Sequence, residues 1–294
     1  MGVTVEWFGC ATFRVRVGDL TIFFDTYLDK APEVPPVGLA AAEVAEADFL
    51  FISHAHFDHV LGADLIARAT GATVVGNHEV AHLMGDNGVP EEQVLAVSGG
   101  ETVDCGGEVR VRVLPALHSC LFAASGADSG ASCLGDLGVS AQERKQRTDG
   151  LNELLPTLSE PIRDYFEQHE GHASHRDGGQ LAYVLETPSG SLLVSASSGY
   201  WHGIFATERP DVAILAAAGR PNVDGEPHQG SMGEFLVEEA RVLGSPRVVL
   251  CHHDPLLPPI IPAFDVTAAE AALRAELGDR YRVLQYGEPV DLLP

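Results

Sequence analysis

One pattern in this chain is written twice. Residues 12–17 and 20–24 read as two strands joined by the turn dipeptide Gly18-Asp19, and residues 181–186 and 192–195 repeat that hairpin across Ser189-Gly190. A short apolar strand follows each hairpin, at residues 48–52 and again at 211–215; residues 73–75 and 247–250 then echo one another. Helical periodicity runs over residues 61–69, closed by Gly71, and over about 231–243 and 267–277. Two similar β-rich halves, each with its own helices, predict two packed sheets with helices outside, an α/β sandwich. The 294 residues suffice for one such unit, so residues 1–294 are expected to form a single domain. The pattern breaks between the halves, at about 121–179. There a Gly/Ser/Ala-rich stretch precedes a polar helical segment and a run holding His169, His172 and His175, expected as a partly helical insertion or lid. The three histidines themselves are expected to be solvated.

Where the first apolar strand ends, the sequence reads Ser53-His54-Ala55-His56-Phe57-Asp58-His59. His54 and His56 alternate by two, so both imidazoles can point to one side; Asp58 and His59 can reach the same space after a turn. Three His and one carboxylate within six residues form a donor set of the kind Zn²⁺, Mn²⁺ or Fe²⁺ favour. A solvated polar loop is the bland alternative, but the cluster lies between a buried strand and an apolar helix. The chain carries 13 His in all; His78 and His82, four residues apart on an expected helix, read as structural.

The constellation His-x-His-x-Asp-His at a strand end, in a duplicated sandwich, resembles the metallo-β-lactamase-fold hydrolases. The stretches Trp7-Phe8-Gly9-Cys10-Ala11-Thr12-Phe13 and Ile22-Phe23-Phe24-Asp25 are similar to that family's opening hairpin. The resemblance covers residues 1–120 and 180–294 and implies a four-layer αββα sandwich. It implies a first metal site of His54, His56 and His118, the last within Leu117-His118-Ser119. It implies a second site of Asp58, His59 and a histidine from Cys251-His252-His253-Asp254, with His252 favoured and His253 the alternative. Asp25 and Asp48 are expected to accept the ligands' other N–H groups. Where most members of the family place a carboxylate bridging two metals, this chain has Ser197, so the second metal is expected to be labile, with Asp136 a candidate to compensate.

The expected reaction is hydrolysis by a metal-activated water, Asp58 orienting or deprotonating the nucleophile, since no Gly-x-Ser-x-Gly elbow or Cys–His pair is visible. Leu117-His118-Ser119, the insertion before Gly179-Gln180-Leu181, and the His-His-Asp-Pro run are similar to the L-ascorbate-6-phosphate lactonase branch, which implies lactone, ester or phosphodiester substrates; a small lactone, ester or related carbonyl compound is expected. Tyr200, Trp201, His202, Arg220, Asn222, His228 and Gln229 are candidates for the pocket wall. A phosphodiesterase or nuclease of the same fold, or a non-catalytic metal-binding protein, are the alternatives. A formal charge of −24 argues against nucleic acid or an anionic membrane as partner, leaving a small molecule. The only dense basic cluster is Arg144, Lys145 and Arg147, expected on a solvated helix face. Self-association is left open. Five widely spaced Cys without a Cys-x-x-Cys pair suit a reducing compartment, and nothing near residue 1 reads as an export signal, so a cytoplasmic location is expected.

Overall fold

The fold was established from a computed structural model, which describes residues 2–120, 155–258 and 261–293, with residues 140, 142, 145 and 146 between them. Cys133, Asp136, Arg144 and Arg147 lie outside the described residues.

Alternation decides which face of each strand is buried. In β2 (Phe13–Val17) Phe13, Val15 and Val17 point inward, while Arg14 and Arg16 turn outward to share the carboxylate of Glu6 from β1 (Val3–Trp7). β3 (Leu20–Phe24) closes the first hairpin. β4 (Phe49–Phe51) and β5 (Thr73–Gly76), buried on both faces, add to it in parallel, as β6 (Val94–Ala96) does to β5. β7 (Thr102–Gly106) and β8 (Val109–Pro115) begin the second sheet, followed by β9 (Leu181–Thr187) and β10 (Gly190–Ser195). The second hairpin turns at Pro188-Ser189, with Gly190 already in strand. β11 (Gly199–Tyr200), β13 (Asn222–Val223) and β14 (Glu226–Pro227) make a small third sheet. β12 (Val212–Ala216), β15 (Arg247–Cys251) and β16 (Tyr281–Arg282) complete the second, and β17 (Val290–Asp291) edges the first.

The two seven-stranded sheets have one topology. The first runs β17-β1-β2-β3-β4-β5-β6 and the second β7-β8-β9-β10-β12-β15-β16, with antiparallel and parallel pairings in the same places. Even the clasp at the start of the third inner strand is repeated. Asp48 accepts the Thr21 N–H on its carboxylate (2.8 Å) and donates its own N–H to Thr21 O; Asp211 does the same with Ser191. Asp48 is therefore a strand clasp at the end of β4 remote from the histidines, not a partner of the ligands.

Inward side chains of both sheets, among them Val15, Phe24, Phe51, Tyr183, Val194 and Ile214, form the central core. Outside the first sheet, Leu50 and Ile52 pack under α2 (Ala63–Thr70) and α3 (His78–Asp86); outside the second, Leu193 and Leu215 pack under α6 (Met232–Val242) and α7 (Thr267–Leu277), giving the four layers αββα. Ahead of α2 lies the single turn α1 (Phe57–Val60). Between the halves, α4 (Glu160–Gln168) buries Ile162 and Tyr165 in the central core, and α5 (His202–Phe205) is one turn long. No helix among the described residues is long and apolar enough to cross a membrane.

Candidate metal centre

Because β1, β3 and β4 are parallel to one another, as are β8, β10, β12 and β15, the loops leaving their carboxyl ends meet at one rim of the sandwich. That rim collects the chemistry-bearing residues, as the carboxyl ends of parallel strands commonly do. The loop after β4 carries His54, His56, Asp58 and His59; the loop after β8 carries His118; the loop after β15 carries His252. Two donor clusters result. In one, His54, His56 and His118 each offer a nitrogen, and in the other Cys10, Asp58, His59 and His252 each offer a donor atom, all within 4.8 Å of one another in each set. The clusters adjoin, the rings of His54 and His59 lying 3.9 Å apart.

Hydrogen bonds aim the imidazoles. Asp25, buried and held at φ +51°, accepts the N–H of Ser53 (2.7 Å), the Ser53 hydroxyl (2.9 Å) and Nδ1 of His59 (2.7 Å). Because the Ser53 proton is committed to that carboxylate, its oxygen accepts from Nδ1 of His54 at 3.1 Å. His118 donates Nδ1–H to the carbonyl of Ser119 (2.8 Å), and the backbone of His175 takes a hydrogen bond from the ring of His56. Nε2 of His54 and His118 is thereby left with its lone pair turned to the rim, and Nε2 of His59 is aimed at Asp58 in the second cluster.

The donor atoms crowd one another. Nε2 of His54 and Nδ1 of His56 are 3.1 Å apart, and Nε2 of His59 lies 3.2 Å from Nε2 of His252 and 3.2 Å from Oδ2 of Asp58. Oδ2 of Asp58 is 3.1 Å from Nε2 of His252. Bare donors at that spacing repel unless a proton or cation lies between them. A tetrahedral ion with bonds of 2.0–2.1 Å has ligand–ligand edges of about 3.3–3.4 Å, so the donors present fit such a group. The protonation pattern agrees. Burial, then the neighbouring imidazoles, holds His54 well below the usual histidine range; burial, then His56, lowers His118 to about 4; burial lowers His56. All three imidazoles are neutral near pH 7. In the second cluster burial opposes charge, but Asp58 and then Asp25 outweigh it and raise His59 to about 10, while His59 and His252 hold Asp58 well below the carboxylate range. That cluster draws positive charge.

The residues between the two halves reach the centre through their backbone. Ser174 N–H donates to the carbonyl of Ala55 (2.9 Å) and Ala55 N–H to Asp177 O (3.1 Å), so residues 174–177 strap the peptide between His54 and His56. Asn77 ties the strap down by donating to Asp177 O and Gly179 O (2.7 and 2.8 Å) while its own Oδ1 caps α3 at Val80. Gly178 sits at φ +75°, where a Cβ would lie 2.5 Å from that Oδ1. The imidazoles of this segment stay outside the clusters: His169 bonds Tyr165 O, His172 lies 3.4 Å from Asp64, and His175 is exposed.

The other expected residues divide. His253 is turned away and stacks on Trp7, ring centroids 5.3 Å apart. Ser197 is buried with its hydroxyl accepting the Ser119 N–H at 3.1 Å, which steadies the loop of His118. Tyr200 is no pocket wall: it is fully buried in the outer core, stacked on Phe205 and packed on Phe235. His228 lies against Phe235, Asn222 holds the His118 carbonyl, and Gln229 bonds Pro227 O. Arg220 is buried, its carbonyl accepting from Cys120 N–H; Trp201 and His202 are exposed. Cys10 is the residue the motif reading missed. Burial, then Asp58, pushes its thiol well up.

Comparison with known proteins agrees with this architecture. Residues 21–135 match the sequence profile of the beta-lactamase superfamily domain. A metal-dependent hydrolase of Pyrobaculum islandicum is 34% identical over 126 residues, 43% of this chain and 54% of the relative. The chain thus spans about half the length of the curated relatives it matches. Igni18, a metallo hydrolase from Ignicoccus hospitalis, superposes over 99% of this chain and 98% of its own with a TM-score of 0.63 at 18% identity. The metallo-β-lactamase fold protein YhfI from Bacillus subtilis superposes over 98% of each with a TM-score of 0.57 at 12% identity. The chain has the metallo-β-lactamase fold, and its residues 21–135 match the profile of the beta-lactamase superfamily domain.

Proposed function

We propose that this protein is a metal-dependent hydrolase acting on a small lactone, ester or related carbonyl compound, with Zn²⁺ in one or both clusters. The observation that carries the reading is the pair of adjoining donor clusters, in which hydrogen bonds to Ser53 and Ser119 leave a ring nitrogen of His54 and of His118 free, and the bond to Asp25 aims His59 at its cluster, where an incoming cation would displace its proton. When bound there, a divalent cation supplies Lewis acidity to a substrate oxygen and acidifies a coordinated water.

The chain's own groups do the rest. Asp58 is held as an anion by His59 and His252, so it orients a water by accepting a hydrogen bond rather than acting as a strong base. The strap over Ala55 holds His54 and His56 in place while substrate binds. The lactone or ester preference rests on the resemblance of Leu117-His118-Ser119 and the His-His-Asp-Pro run, and the charge of −24 favours a small substrate over a nucleic acid.

The test is a panel of lactones, esters and phosphodiesters offered to the metal-loaded protein. We expect turnover of lactones or carboxylic esters, its loss on chelation and its return on adding metal, and no turnover by His56→Ala or Asp58→Ala variants with unchanged circular dichroism. Full activity in Asp58→Ala would remove Asp58 from the reaction. A metal-loaded protein inert to the whole panel would leave a non-catalytic metal-binding protein as the better reading.

A further inference from the structure

We propose that Cys10 is a thiolate ligand of the second metal site, supplying the anionic donor that Ser197 does not. The inference rests on reading the cluster as a metal centre, but not on which bond the enzyme cleaves.

Three observations carry it. The first is distance. Sγ of Cys10 lies 3.8 Å from Oδ2 of Asp58 and belongs to the same set as Nε2 of His59 and of His252. A tetrahedral centre with a metal–sulfur bond of about 2.3 Å and a metal–oxygen bond of about 2.0 Å has an S···O edge of about 3.5 Å.

The second is the way the backbone holds it. Cys10 is in the left-handed region, φ +50°, which a cysteine rarely adopts. Its N–H donates to both oxygens of Asp254 (2.9 Å each), and Tyr286 fixes that carboxylate at 2.8 Å. Its carbonyl accepts from Trp7 Nε1 (3.0 Å) and from the N–H of His252 (2.9 Å). Cys10 and the ligand His252, itself at φ +59°, are thus locked to each other as one unit. These backbone bonds fix the direction in which the Cys10 side chain leaves the chain.

The third is the duplication. β1 occupies in the first sheet the place β8 occupies in the second, and Cys10 follows Trp7 by three residues as His118 follows Pro115. The two halves therefore each send one donor to the rim from the same point of the fold: His118 to one cluster and Cys10 to the other.

On binding, the thiol proton leaves to solvent and sulfur donates the vacated electron pair to the cation. Asp58 and Cys10 then balance the two positive charges without a bridging carboxylate, and the soft donor favours Zn²⁺ or Fe²⁺ over Mg²⁺. The second site is accordingly not the weak one that Ser197 alone implies.

Titration of the metal-free protein with cobalt(II) chloride tests this without reference to activity. The expected result is two bound equivalents, with a near-ultraviolet sulfur-to-cobalt charge-transfer band that Cys10→Ser lacks. Loss of an outer partner of a ligand costs about 10- to 100-fold in affinity, so Cys10→Ser should weaken one equivalent by more than ~100-fold and leave the other unchanged. Two equivalents with no charge-transfer band in the unaltered protein would overturn the inference while sparing the metal centre. No cobalt bound at all would overturn both.

Discussion

Ser53 shows how much of the donor clusters' arrangement depends on groups outside them. One hydroxyl, its proton given to Asp25, fixes which nitrogen of His54 is free, and the same carboxylate fixes His59. Away from the rim, Glu239 on α6 is 1% exposed, and burial raises its carboxyl to about 8. Between about pH 4.5, the ordinary glutamate value, and pH 8 the folded chain keeps a proton that the unfolded chain has lost. The contribution to stability is therefore whole below pH 4.5 and lost as pH rises through 8, at up to ~1.4 kcal/mol per pH step. Urea unfolding of Glu239→Gln is expected to show a smaller fall in stability between pH 5 and pH 8 than the unaltered protein; equal falls would contradict the assignment. Residues like this are hard to see in a sequence, because a carboxylate in an amphipathic helix is expected on the wet face. The clustered histidines were legible since few other arrangements explain them. Cys10 was not, because a single cysteine among apolar residues reads as a small hydrophobe. Tyr200 was misplaced because its burial comes from packing on Phe205 and Phe235, a tertiary contact that no local pattern encodes.

At the scale of elements, the two hairpins, the inner parallel strands and the helices α2, α6 and α7 were visible, since each has a strong period or an apolar run between turn residues. β16 and β17 are two residues long and β6 is three, its last two residues exposed; such edges owe their existence to the neighbouring strand rather than to their own sequence. The strap was equally hidden. Its histidines drew attention, yet its backbone makes the contacts, and a backbone hydrogen bond leaves no residue-type signature. Asn77 joins α3, the strap and, through Asp177, the peptide at Ala55, beside the Ser174 hydroxyl, which donates to Glu79 on α3. Asn77→Ala is expected to cost about 1–2 kcal/mol through the lost cap alone. It is also expected to speed amide hydrogen exchange at Ala55, whose N–H donates to Asp177 O. Unchanged exchange at Ala55 would show that the strap is held by something other than Asn77.

Seen whole, the molecule is one topological unit used twice, with the loops from equivalent strand ends brought to a common rim. Duplication explains why donors from residues 10, 54–59, 118 and 252 can meet although they are spread over most of the chain. It also places the net charge of −24 in context: an acidic molecule can concentrate cations at a site built from neutral imidazoles and a few anions. The central claim is that this rim holds two cations side by side. Anomalous X-ray diffraction from crystals grown with Zn²⁺ in excess, recorded on both sides of the zinc absorption edge, addresses it directly. The expected map has two neighbouring peaks, one among His54, His56 and His118 and one among Cys10, Asp58, His59 and His252. A rim without a peak, or with one peak only, would contradict the account.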